Sequence, residues 1–112
     1  MSKVADLADA FVSYASLGGW ESRPESITTV MRTAWRTRGF GDFWSYMLVA
    51  EGAVDVAAEP ELAVHDMVAL APIVTEAGGM FSDLAGNPGP FGGNALATNG
   101  LLHDEVRRLL SQ

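Results

Sequence analysis

One stretch narrows what this chain can fold into more than any other: VDVAAEPELAVHDMVALAPIVTEAGG, from Val54 to Gly79. Val54 to Ala58, with its β-branched valines, reads as a strand. A loop carrying Glu59 and Glu61 follows, Asp66 opens a long apolar helix, and Gly78-Gly79 ends it by permitting left-handed backbone. Strand, loop and helix in that order make a βα unit, and chains of such units form a mostly parallel, if mixed, sheet with helices on both faces. The expected class is therefore α/β. In such sheets ligands bind at the carboxyl ends of the strands. Glu59 and Asp66 flank one of those ends. Pro72 has no N–H to give the Val68 carbonyl, so a kink is expected inside the helix.

The flanking segments support the same class. Val4, Leu7, Ala8 and Phe11 predict one or two helical turns, and Phe11 to Leu17 a strand closed by Gly18-Gly19. After Pro24, the stripe Ile27, Val30, Met31, Ala34, Trp35 predicts a helix with Glu21 and Glu25 at its start and Arg32, Arg36 and Arg38 toward its end, as the helix dipole favours. GFGD is read as a hinge with Asp42 placed to cap the next helix, and FWSYMLVAEG is apolar almost all round, which calls for burial on most sides. MFSDLAG reads as strand and turn, ALATN as a last strand, and Leu102, Val106, Leu109 and Leu110 stripe a terminal helix. No linker or repeat divides residues 1–112, so one domain is expected.

Charge restricts the partners. Fourteen acidic against seven basic residues give a net charge of −7, which argues against a nucleic-acid binder working by counterion release and suits a metal cation or cationic ligand. The absence of cysteine removes thiolate chemistry and Cys-ligated zinc. No apolar run is long enough to span a membrane, and Asp6 and Asp9 do not fit a signal peptide, so a cytoplasmic location is expected. A hydrophobic share of 48% suggests a face covered by something else.

Each chemical candidate has a plain structural alternative. Asp66 is either a helix cap or a carboxylate ligand for Mg²⁺. Glu59 and Glu61 form a solvated acidic loop or hold a substrate hydroxyl or amine. His65 adjoins Asp66, but neighbours on a helix do not face each other. His103, on the terminal helix, is expected at the surface. No serine lies in G-x-S-x-G, and Gly86 to Gly93 matches no phosphate-binding motif. Arg32, Arg36 and Arg38 could reach a phosphate or merely complement a helix end. The residues alone give an α/β domain with an acidic corner.

The pieces GDFWSYMLVAEGAVDVAAEPELAVHD and ALAPIVTEAGGMFSDLAG together resemble the C-terminal half of the inositol monophosphatase superfamily of Mg²⁺-dependent phosphatases, specifically its bacterial histidinol-phosphatase branch. The likeness runs from about Leu7 to Leu110. The family's Trp-Asp pair, heading a helix that ends in E-A-G-G, stands here as His65-Asp66 with Glu76-Ala77-Gly78-Gly79. The resemblance implies the sugar-phosphatase fold, Asp66 as a metal ligand, Glu59 as a contact to the substrate's polar end, and Asp42, with Arg38 beside it, lining that pocket. Histidinol phosphate is the implied substrate and histidine biosynthesis the implied setting. The family's D-P-x-D-G-T motif, which supplies further metal ligands and phosphate-binding amides, does not occur here. The expectation is thus a half-domain that needs Mg²⁺ and a missing N-terminal half, or that self-associates through an exposed apolar face, and is inactive alone. The alternatives are an assembly module or a small-ligand-binding domain that keeps the fold without catalysis.

Overall fold

A computed structural model describes residues 1–14, 20, 24–62 and 64–110, with the side chains of Pro24, Asp42, Val64 and Asp66 outside that description. Its frame is a five-stranded mixed sheet in the order β2-β1-β3-β5-β4. The strands are β1 (Phe11–Tyr14), β2 (Arg36–Arg38), β3 (Val56–Glu59), β4 (Met80–Ser82) and β5 (Ala95–Thr98). β1 runs parallel to both β2 and β3, whereas β5 is antiparallel to β3 and β4. Parallel character is thus confined to the three strands around the βα units.

Helices α1 (Pro24–Thr33) and α5 (His103–Leu110) contribute to the core that holds Val12, Val56, Ala58 and Leu96. Helices α2 (Asp42–Glu51) and α4 (Leu70–Glu76), with α3 (Val64–Met67), contribute to the core that holds Val54, Ala57, Ala95 and Ala97. Alternate residues of β3 and β5 thus go to different cores, as a pleated strand with helices on both sides requires.

Several expectations are corrected. The opening segment makes only a single 3-10 turn, Leu7–Asp9, begun by Asp6, whose carboxylate accepts the Ala8 N–H at 3.0 Å. α1 stops at Thr33, so Trp35 is not on its buried stripe, and Arg36 to Arg38 form the edge strand β2 instead of the end of the helix. The Arg36 N–H pairs with the Ala10 carbonyl at 3.2 Å, a backbone bond that outweighs helix continuation. Gly41 occupies the N-cap of α2, and Asp42 is its first helical residue. Glu59 ends β3 and is not part of the loop beyond it. Asp66 is the third residue of α3, and the long helix predicted over 66–77 is two helices broken at Val68-Ala69. Pro72 falls in the first turn of α4, where a missing N–H costs nothing. Burial of α2 on most sides, expected from its apolar sequence, is the largest correction, because Phe43 and Trp44 are 66% and 53% exposed.

Candidate functional site

The carboxyl ends of β2, β1 and β3 lie side by side because those strands are parallel, and they carry Arg38, Tyr14 and Glu59. Arg38 and Glu59 are on strands separated by β1, which puts about 10 Å of sheet between their backbones. Arg38 is exposed and turns its Nη1 back to the Thr37 carbonyl at 2.7 Å.

Glu59 is the buried member of this edge, 8% exposed. It shares its side of β3 with Ala57, so it faces the layer of α2 and α4. There it meets Tyr46 of α2, itself wholly buried. Burial first, then the charge of Glu59 and hydrogen bonding to its carboxylate, raise the Tyr46 phenol well above its ordinary value of 10.0. Tyr46 thus remains neutral beside a carboxylate. One residue earlier, Ser45 Oγ pairs with Ser13 Oγ of β1 at 2.7 Å in a buried contact. The Ser13–Ser45 bond ties α2, which begins at Asp42, to β1, and the buried Tyr46 packs beside the end of β3.

The loop after β3 is held from the other side. Leu62 N–H donates to the Gly93 carbonyl at 2.8 Å, tying it to the segment that enters β5 opposite Glu59. That Gly/Pro-rich segment is ordered by its own bonds: Asp83 accepts from Asn87 N–H at 2.8 Å and Asn87 Nδ2 at 3.0 Å, and Asn94 Oδ1 accepts from Leu84 N–H at 2.7 Å. Partial burial works against ionisation of Asp83, but the Asn87, Ala85 and Gly86 donors outweigh it and hold its carboxyl below the usual value. The segment is a loop held by these bonds.

Of the predicted site residues, Glu59 and Arg38 are placed at one sheet edge, and Asp42 and Asp66 belong to the helices that follow β2 and β3. The side chains of Asp42 and Asp66 lie outside the described residues. His65 is exposed on α3. Among the described residues no three carboxylate or imidazole groups converge as an oxygen and nitrogen cage for a cation would.

A second constellation escaped the sequence reading. His103 is 2% exposed, against the expectation of a surface position. Its Nε2 meets Ser82 Oγ at 2.7 Å and its Nδ1 meets Thr98 Oγ1 at 3.0 Å. Ser82 Oγ also donates to the Asp83 carbonyl at 2.8 Å, and Thr98 Oγ1 accepts Gly100 N–H at 3.0 Å. These bonds assign one direction to the chain: Thr98 donates to Nδ1, the neutral ring donates from Nε2 to Ser82, and Ser82 donates onward. The serine proton is committed to a carbonyl, so the pair is not a nucleophile with its base. Burial, the largest influence, lowers the His103 pKa. The signal was present in the spacing, since His103, Val106 and Leu110 fall at i, i+3 and i+7 on the buried stripe of α5. A cavity of about 200 Å³ beside this network is lined by Ser82, Gly86, His103 and Arg107.

Comparison with known proteins fits this geometry. Residues 19–111 match the profile of the Inositol monophosphatase family. A histidinol-phosphatase of Streptomyces coelicolor is 55% identical over 114 aligned residues, covering 100% of this chain and 43% of that protein. One from Mycobacterium tuberculosis is 55% identical over 109 residues, covering 95% and 42%. Among solved structures, a Thermotoga maritima IMPase superposes with a TM-score of 0.88 at 29% identity over 99% of this chain and 44% of its own. An inositol monophosphatase from Zymomonas mobilis gives 0.89 at 25% identity, over 100% and 46%. The chain spans less than half the length of the relatives it matches.

Proposed function

The chain belongs to the inositol monophosphatase family, and from that premise we propose that it is the C-terminal part of a Mg²⁺-dependent phosphomonoesterase that hydrolyses histidinol phosphate in the cytoplasm. The observation that carries the substrate is 55% identity to histidinol-phosphatases along the whole chain. In this reading Asp66 supplies one carboxylate to the metal. Glu59, beside the buried Tyr46, and Asp42 receive the cationic polar end of the substrate, and Arg38 stands at the rim. Two acidic groups suit an amine and an imidazole better than they suit an uncharged polyol. Bound Mg²⁺ would activate water and neutralise charge developing on the phosphate. This chain offers one wall of that cluster, so the reading includes inactivity of the isolated chain.

The test is phosphate release from histidinol phosphate with Mg²⁺. The isolated chain is expected to show none above background. Turnover is expected when the rest of the fold is supplied, with Asp66→Asn lowering it by at least about 100-fold, as loss of a metal ligand does. Turnover by the chain alone, abolished by Asp66→Asn, would overturn its inactivity. An assembled enzyme that prefers a neutral polyol phosphate would overturn the substrate.

A further inference from the structure

The turn between β5 and α5 carries a chemically fragile pair. Of the three asparagines, Asn87 precedes a proline, Asn94 an alanine and Asn99 a glycine. An asparagine loses its side-chain amide when the backbone nitrogen of the next residue attacks its Cγ. Proline has no N–H to give up in that step, and the methyl group of alanine crowds it, so Asn99-Gly100 is the susceptible pair. The fold needs both residues. Gly100 has φ of 91°, a left-handed backbone that suits glycine. Asn99 is 5% exposed and uses both ends of its amide. Its Oδ1 accepts the N–H groups of Leu101 at 3.0 Å and Leu102 at 3.3 Å, and its Nδ2 donates to Val4 O at 2.7 Å and Ser2 Oγ at 2.9 Å. A carboxylate could accept the first pair but not donate the second.

The same turn restrains the reacting atoms. The Gly100 N–H, whose nitrogen is the nucleophile, donates to Thr98 Oγ1 at 3.0 Å, and Thr98 Oγ1 is itself bonded to the buried His103 Nδ1 at 3.0 Å. Attack requires that nitrogen to lose its proton and the Asn99 side chain to turn onto it, which breaks these bonds.

We propose that Asn99-Gly100 is a deamidation site that the folded turn holds back and that local opening of the turn releases. In the reaction the Gly100 nitrogen bonds to Asn99 Cγ, the Cγ–Nδ2 bond breaks, and Nδ2 departs as ammonia with the proton that Gly100 gave up. Water then opens the cyclic imide at either carbonyl, leaving aspartate at 99 or its isomer with the backbone routed through the side chain. Either product puts a carboxylate where a double donor stood. The Val4 carbonyl loses its donor, and a second carboxylate arrives at Ser2 Oγ, which already donates to Asp55. The modification therefore unties residues 1–5 from the start of α5, and refolding does not reverse it.

The test incubates the 112-residue chain at mildly alkaline pH as folded wild type, as urea-unfolded wild type and as Thr98→Val. Mass spectrometry of the peptide containing residue 99 reads the amide-to-acid change, with a digestion that separates aspartate from its isomer. Loss is expected first at Asn99, at least about 10-fold faster unfolded than folded, because reaction from the folded chain waits for local opening. Thr98→Val removes the acceptor of the Gly100 N–H and should speed the reaction in a chain that keeps its circular dichroism, whereas Thr98→Ser, which retains a hydroxyl, should stay near the wild type. Should Thr98→Val misfold, wild type in urea below its global transition makes the same test, since a turn that opens locally raises the rate before the chain unfolds. Equal rates folded and unfolded, or a first loss at Asn87 or Asn94, overturn the proposal. So does a folded Thr98→Val chain, or the wild type in that urea where the variant fails, that reacts no faster.

Discussion

Gly78 and Gly79 look interchangeable in the sequence, yet they do different work. Gly78 has φ of 99° with open space around it, so a side chain there meets only the left-handed backbone penalty. Gly78→Ala should cost about 1 kcal/mol. A Cβ on Gly79 would collide with the Thr98 carbonyl oxygen and the end of Met1. Backbone cannot step aside without disturbing β5, so Gly79→Ala should cost about 2–3 kcal/mol. Urea midpoints rank the two, and equal losses would refute the close approach. His103 sets a pH dependence of definite sign. The folded state resists protonating it, whereas the unfolded chain binds a proton near the ordinary value of 6.5. As pH falls through 6.5 the unfolded state gains the proton first, so this contribution to stability is present above that pH and is lost below it. His103→Gln should flatten the fall in urea midpoint below pH 6.5, and an unchanged slope would mean that the titrating group lies elsewhere.

At the scale of elements, Asn99 is the residue on which two segments meet. Its Oδ1 accepts Leu101 and Leu102 N–H at 3.0 and 3.3 Å just before α5, while its Nδ2 donates to Val4 O at 2.7 Å and Ser2 Oγ at 2.9 Å. Asp55 completes the tie by accepting from Ser2 Oγ and from Phe11 N–H at 2.7 Å. Asn99→Ala should cost about 2–3 kcal/mol, a cap and two buried bonds together. Asn99→Asp keeps the acceptor, so it should cost less and expose residues 1–5 to hydrogen exchange while α5 stays protected. Loss of protection in both segments would show that they are not separately held. Much of this element plan was legible. Val54 to Gly79 announced its βα unit, and the stripe from Leu102 to Leu110 announced α5, because their burial leaves a periodic trace. β2 left none: Arg-Thr-Arg is polar throughout and becomes a strand only because β1 offers it carbonyls. The exposed face of α2 was illegible for the opposite reason. An apolar helix surface reads as buried, and nothing in the pattern around Phe43 and Trp44 marks them as the exposed positions of α2. At the candidate site, the strand end was legible although Glu59 itself was read into the loop beyond it, whereas its place beside Tyr46 required the packing of α2 across β3.

For the molecule as a whole, the balance between cation and chain separates a binding wall from a binding site. A ligand stabilises the folded state by RT ln(1 + [L]/Kd). A single carboxylate wall holds Mg²⁺ only in the range of tens of millimolar, so 10 mM Mg²⁺ should add about 0.4 kcal/mol or less. A completed cluster with a dissociation constant near 0.1 mM should add about 2.7 kcal/mol at the same concentration. On the proposal that this chain supplies one carboxylate of the cluster, the first value is expected for the free chain. The second is expected once the remaining ligands of the proposed cluster are supplied. Thermal unfolding with Mg²⁺, and with Na⁺ at matched ionic strength to cancel general screening of the net −7 charge, reads both. In the free chain Asp66→Asn should leave the small Mg²⁺ effect almost unchanged, whereas in the assembled protein it should remove most of the large one. A free chain that gains the larger stabilisation from Mg²⁺, and loses it on Asp66→Asn, would place a complete metal site within these 112 residues and contradict the reading of this edge as a single wall.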